Sequence, residues 1–99
     1  GAWKRALYAN GLVTDPPTKL KQRLGLLLEL QRFTEAAALE PRARRLDVLD
    51  DQQVAYALAY AHFRNGDHAR TEALLQQISD PELFRQATAL REAMEESGR

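Results

Sequence analysis

Leucine recurs in the first third of this chain at the spacing of an α-helix. Leu20, Leu24, Leu27 and Leu28 follow the i, i+4, i+7, i+8 pattern, which places apolar side chains on one broad helical face. No stretch of the chain alternates apolar and polar residues over the length of a strand, and β-branched residues are scarce. The sequence therefore predicts an all-α fold.

Proline, aspartate and glycine divide the chain into successive helices. Pro favours the first turn of a helix, Asp caps its N-terminus and Gly closes its C-terminus. Pro41 is expected to interrupt one helix, and Gly66-Asp67 to end one helix and open the next. With the two segments that flank Pro41 counted as one helix, the sequence predicts about five to six helices. They span residues 2–10, 18–31, 33–39 together with 42–49, 52–65, 67–78 and 81–94.

Two segments of the chain correspond in pattern at a constant offset of about 35 residues. Residues 20–33 overlay residues 55–68, so that a helix, a tight turn and the start of a second helix fall at the same places. Gln31-Arg32-Phe33 meets Gly66-Asp67-His68 in this overlay. The offset lies within the period of proteins built from two-helix repeats.

The second of these segments resembles a tetratricopeptide repeat. Leu58 and Ala59 stand where that family has a Leu and a small residue, and Gly66-Asp67 stands at its tight turn. Ala59 would let the paired helix approach closely, and Gly66 would permit the positive φ of the turn. Three positions depart from the family pattern. Ala55 stands where the family has a large aromatic residue, Thr71 where it has Ala, and Gln31 where it has the Gly of the turn.

The resemblance implies an antiparallel helix-hairpin solenoid, in which each hairpin packs on the next. Under it, the chain is one module and a fragment of a longer repeat array. Its parts are a partial preceding repeat at 1–13, a degenerate repeat at 17–49, the clearest repeat at 51–78, and a following or capping helix at 79–99.

An aromatic stripe on the helix predicted at 52–65 is the leading candidate for a binding site. Tyr56, Tyr60 and Phe63 are spaced i, i+4, i+7 and therefore share one side of that helix. In the resembled family this side faces a concave groove that holds a partner, and the rings could equally pack between adjacent helices. By the resemblance, the matching positions of the preceding repeat are Lys21, Gly25 and Leu28.

The residues do not assemble into a recognisable catalytic or metal site. There is no Cys, no Gly-rich phosphate loop and no Gly-x-Ser-x-Gly nucleophile motif. His62 and His68 are the only imidazoles, and neither has a second His three or four residues onward, so a packing role is favoured over a ligand role. We therefore expect no enzyme, no cofactor and no metal.

The charge balance disfavours a nucleic-acid partner. Lys plus Arg and Asp plus Glu are equal at 14 each, so no overall positive field attracts a polyanion. Arg42, Arg44 and Arg45 form the one basic run and leave a helical nucleic-acid binder as an alternative. No apolar run in the sequence is long enough to span a membrane.

These features predict a scaffold that presents a groove to another protein or peptide. The preference for Arg over Lys suggests a bacterial genome. Repeats of the resembled family organise bacterial envelope, polysaccharide-export and secretion assemblies, so the cytoplasm and the periplasm both stay open. A second alternative is self-association into a homo-oligomer through the terminal helices, which carry Trp3 at one end and Leu83-Phe84 at the other.

Overall fold

The computed structural model describes residues 15–97, and within them every regular element is an α-helix. The predicted all-α fold is therefore confirmed. The prediction of a helix at 2–10, and with it the partial repeat at 1–13, lies outside the described residues. The helices are α1 (Pro16–Glu29), α2 (Phe33–Ala37), α3 (Glu40–Arg45), α4 (Gln52–Arg64), α5 (His68–Leu75) and α6 (Pro81–Ser97).

Aspartate caps start the longer helices, as the sequence predicts. Asp15 accepts a hydrogen bond from the backbone N–H of Thr18, and Asp51 accepts one from that of Gln53. Asp80 accepts bonds from the first turn of α6, at 3.0 Å from the Glu82 nitrogen and 3.2 Å from that of Leu83. Each bond satisfies a backbone donor that has no partner inside its own helix.

Pro41 divides the predicted third helix into α2 and α3. Pro41 has no backbone N–H to donate, and it occupies the first turn of α3, the position that it tolerates best. The predicted continuation of this helix to residue 49 is wrong. The helix ends at Arg45, because Asp47 takes a φ of 56° and the N–H of Val48 turns back to the carbonyl oxygen of Ala43.

The same tight turn closes α1 and α4. Gly66 has a φ of 82°, as the sequence predicts, and Gln31 adopts a φ of 59° although it is not glycine. In each turn the next N–H reaches back five residues along the chain, from Arg32 to the Leu27 oxygen at 2.8 Å and from Asp67 to the His62 oxygen at 2.9 Å. The two turns therefore share one backbone conformation at an offset of 35 residues.

Helix α4 is the centre of the packing, since it contacts α1, α2, α5 and α6. Two faces of α4 are buried. On one of them α5 packs close to Ala59, because the hydroxyl of Thr71 donates to the Ala59 carbonyl oxygen. The side chain of Gln52 fastens the start of α6 to α4, because its amide oxygen accepts bonds from the backbone nitrogens of Ser79 and Asp80. The largest fully buried side chains are Leu27, Leu58, Leu74, Leu75 and Thr71.

Candidate functional site

The predicted aromatic stripe lies on the least buried side of α4. Tyr56, Tyr60 and Phe63 are each half-buried and packed against the edge of the core. Each side chain is partly covered by the core and partly reached by solvent, an arrangement that is common at protein interfaces. On the other side of α4, Ala59, which is predicted to let the paired helix approach closely, is fully buried together with Ala55 and Leu58.

Two rings of the stripe belong to a larger group, called here the aromatic cluster, which comprises Phe33, Tyr60, Phe63 and His68. The Phe33 and Tyr60 rings meet edge to face with centroids 5.9 Å apart, and Phe63 lies 6.4 Å from Tyr60. The His68 ring stacks on Phe63 at 5.9 Å. Since Phe33 begins α2 and His68 begins α5, the cluster joins two successive hairpins.

Arg64 covers the edge of the aromatic cluster. Its guanidinium carbon lies 4.5 Å from the centroid of the Phe33 ring, and one of its nitrogens donates to the Tyr60 hydroxyl at 3.1 Å. These contacts hold the cation in place, while the residue as a whole remains exposed. A partner would therefore meet a fixed guanidinium beside half-exposed rings.

Tyr56 lies one turn before Tyr60 and outside the aromatic cluster. Burial raises the pKa of its hydroxyl, and the neighbouring Tyr60 raises that pKa further. The phenol of Tyr56 is consequently neutral over the physiological range, so this end of the stripe offers an uncharged surface.

The predicted residues of the preceding repeat lie on α1 beside α4. Lys21 forms an ion pair with Asp51, with nitrogen and oxygen 2.9 Å apart, and this bond holds the pKa of the Asp51 carboxyl below its usual value. Lys21 and Gly25 line a pocket of about 150 Å³ together with Gln53 of α4. Leu28 is half-buried against the core. The structure thus brings Tyr60 and Phe63 together, and it places Lys21 in a separate pocket.

A buried polar group that the sequence did not reveal lies behind the stripe. His62 Nε2 is 2.6 Å from Glu40 Oε1, and both side chains are almost fully buried. Arg44 donates two hydrogen bonds to the other oxygen of Glu40. Burial acts to raise the pKa of Glu40, but the hydrogen bonds from Arg44 and His62 outweigh it, so that the pKa is lowered.

Glu40 gives His62 a structural partner and also pairs with Arg44, one of the three arginines of the basic run. All three arginines are exposed, but the charge of Arg44 is paired with the Glu40 carboxylate. The three arginines therefore do not present a uniform cationic surface. Residues 15–97 contain no group of three side chains arranged to hold a metal ion, and none of their helices is both long enough and apolar enough to cross a membrane.

The chain matches no protein-family model, no curated protein and no solved structure. The resemblance to tetratricopeptide repeats accordingly remains a prediction from the residues.

Proposed function

We propose that this protein is a protein-interaction scaffold, which binds a partner protein or peptide on the exposed side of α4 and the adjoining side of α1. The groove is formed by Tyr56, Tyr60 and Phe63, together with Lys21 and Leu28 from the preceding hairpin. The proposal includes a solenoid arrangement of the hairpins.

The aromatic cluster is the observation that supports this proposal best. Tyr60 and Phe63 are anchored by rings from two hairpins, so little side-chain entropy would be lost when a partner covers them. Tyr and Arg are also the residue types that most often dominate binding energy at interfaces. Arg64 lies among them and would pair with a carboxylate of the partner.

A capture experiment with a paired control tests the proposal. The immobilised chain is incubated with extract of the source cell, and the retained proteins are compared with those retained by a Tyr56→Ala/Tyr60→Ala variant and by a Phe84→Ala variant. Phe84 is a large exposed apolar residue on α6, away from the stripe, so its removal is a matched loss of aromatic surface.

We expect the parent and Phe84→Ala to retain the same partner and the double variant to lose it, with affinity for the purified partner falling about tenfold or more. Circular dichroism of each variant verifies that the helices persist. Equal retention by all three proteins would show that the tyrosines only pack between helices. Loss with Phe84→Ala alone would move the binding site to α6.

A further inference from the structure

One flank of α6 is open although the corresponding flank of α4 is covered. The two helices can be aligned from their caps, because Asp51 precedes α4 as Asp80 precedes α6. In this alignment Ala55 corresponds to Phe84, and Ala59 to Thr88. Ala55 and Ala59 are 1% and 0% exposed, whereas Phe84 is 51% exposed and Thr88 is also exposed.

The inward faces of the two helices support this alignment. On α4 the buried residues Val54, Leu58 and Ala61 face inward, and the aligned residues of α6 are all buried or half-buried. These aligned residues are Leu83, Ala87 and Leu90. The alignment therefore matches the inward positions of the two helices, and the flank that carries Phe84 changes from fully buried on α4 to exposed on α6.

Helix α5 is what covers this flank on α4. It packs beside α4 after the Gly66 turn, and its Thr71 hydroxyl donates to the Ala59 carbonyl oxygen at 3.2 Å. The flank of α6 that contains Phe84 and Thr88 would accept a helix of the same kind, one with an apolar stripe of about two to three turns. We call this surface the α6 flank.

We propose that the α6 flank binds residues 2–10 of a second copy of this chain. That segment carries Trp3, Ala6 and Leu7 at helical spacing, so a helix there would offer one apolar stripe. It directly precedes α1, which begins after the Asp15 cap. Bound to the α6 flank, it would take the place beside α6 that α5 takes beside α4, and the second copy would continue the row of hairpins.

The charges on the two surfaces are complementary in the antiparallel orientation. Residues 1–14 contain Lys4 and Arg5 and no acidic residue. The exposed end of α6 carries three glutamates, Glu92, Glu95 and Glu96. When the segment runs antiparallel to α6, its basic start lies beside these glutamates, and Leu7 lies nearer to Phe84.

The two surfaces are different, so the contact is head-to-tail and each bound copy leaves one free surface of each kind. Such contacts extend into open chains unless they close into a ring. This inference is independent of the groove on α4, because neither surface includes Tyr56, Tyr60 or Phe63.

Sedimentation of the 99-residue chain from micromolar to millimolar concentration tests the proposal. We expect the average mass to rise past that of a dimer, and to rise less in high salt because the charge pairs are screened. Phe84→Ser should weaken association about tenfold or more, as should the double change Lys4→Glu/Arg5→Glu. Phe84 is already exposed, so its replacement should leave the helical spectrum unchanged.

A mixture of two blocked variants separates this arrangement from a symmetric dimer. Phe84→Ser retains an intact N-terminal segment, and Lys4→Glu/Arg5→Glu retains an intact α6 flank. At a concentration where each variant alone is monomeric, the mixture should form a one-to-one dimer that grows no further. A chain that remains monomeric at all concentrations, or a Phe84→Ser variant that associates like the parent, would overturn the proposal. So would a mixture that forms no dimer.

Discussion

The Glu40 carboxylate is the residue whose surroundings impose the clearest constraint on stability. It is buried in the first turn of α3, and it is bonded to Arg44 on its own helix and to His62 on α4. Burying a carboxylate is costly unless hydrogen bonds compensate for lost water, and here they compensate well enough to lower its pKa. The group therefore links α3 to α4 most strongly while Glu40 is ionised.

Replacing Glu40 tests this link and its pH dependence. Since the pKa in the folded protein lies below the unfolded value near 4.5, the stabilisation is complete above that value and is lost as pH falls through the folded pKa. We expect Glu40→Gln to lower the free energy of unfolding by about 1–3 kcal/mol at neutral pH. The difference from the parent should shrink in acid, as urea unfolding at several pH values would measure.

The exposed carboxylate Glu29 provides the control, because Glu29→Gln removes a charge from the surface of α1. Its effect should stay within about 0.5 kcal/mol at every pH. If Glu40→Gln lost the same stability at acid and neutral pH, the ionised pair would not be the source of the link between the helices.

At the scale of elements, the turn that ends α1 carries a side chain where its counterpart after α4 has glycine. Gln31 has a φ of 59°, a backbone region that costs an L-residue about 1–2 kcal/mol. Gln31→Gly removes that strain but adds freedom to the unfolded chain. We expect a net rise of about 0.5–1 kcal/mol in the free energy of unfolding, measured by urea denaturation.

The matched change Arg23→Gly falls in the interior of α1, where glycine has no strain to relieve. It should lower the free energy of unfolding by about 1 kcal/mol. A loss of stability with both substitutions would mean that the Gln31 turn does not hold a positive φ in solution.

Helical periodicity and the positions of Pro, Asp and Gly were enough to predict the helices of residues 15–97, except for the end of α3, and the buried side of α4. Both follow from local rules, because Ala55 and Ala59 share a face through helical spacing and Gly66 marks a turn. The Glu40 to His62 contact could not be predicted in this way. It joins residues 22 apart on different helices, and spacing along one helix does not tell which residues of two helices meet.

The candidate site could likewise be predicted only in part from the sequence. The spacing predicted the shared side of Tyr60 and Phe63, but the addition of Phe33 depends on how α2 crosses α4. The 35-residue overlay carried a usable signal, since it aligned Phe33 with His68, and both rings prove to lie in the aromatic cluster. Arg64 gave no signal, because an exposed arginine at a helix end is common.

For the whole molecule, the central position of α4 determines how a local loss of packing should spread. α4 contacts all five other helices of residues 15–97, including α3 through the Glu40–His62 pair, whereas α6 packs mainly on α4 and α5. In a linear array each hairpin is stabilised mainly by its neighbours, so the end elements open more easily than the middle. Amide hydrogen exchange should therefore be slowest in α4 and faster in α6.

Two leucine truncations make this expectation quantitative. Leu58 on α4 is fully buried and Leu90 on α6 is 6% exposed, so each Ala substitution removes a comparable core side chain, at a cost of about 2–5 kcal/mol. Leu90→Ala should speed exchange in α6 and leave α1 close to the parent rate. Leu58→Ala should speed exchange in every helix that α4 supports. Equal acceleration of α1 by both variants would indicate that the helices unfold as one cooperative unit and would argue against the linear array.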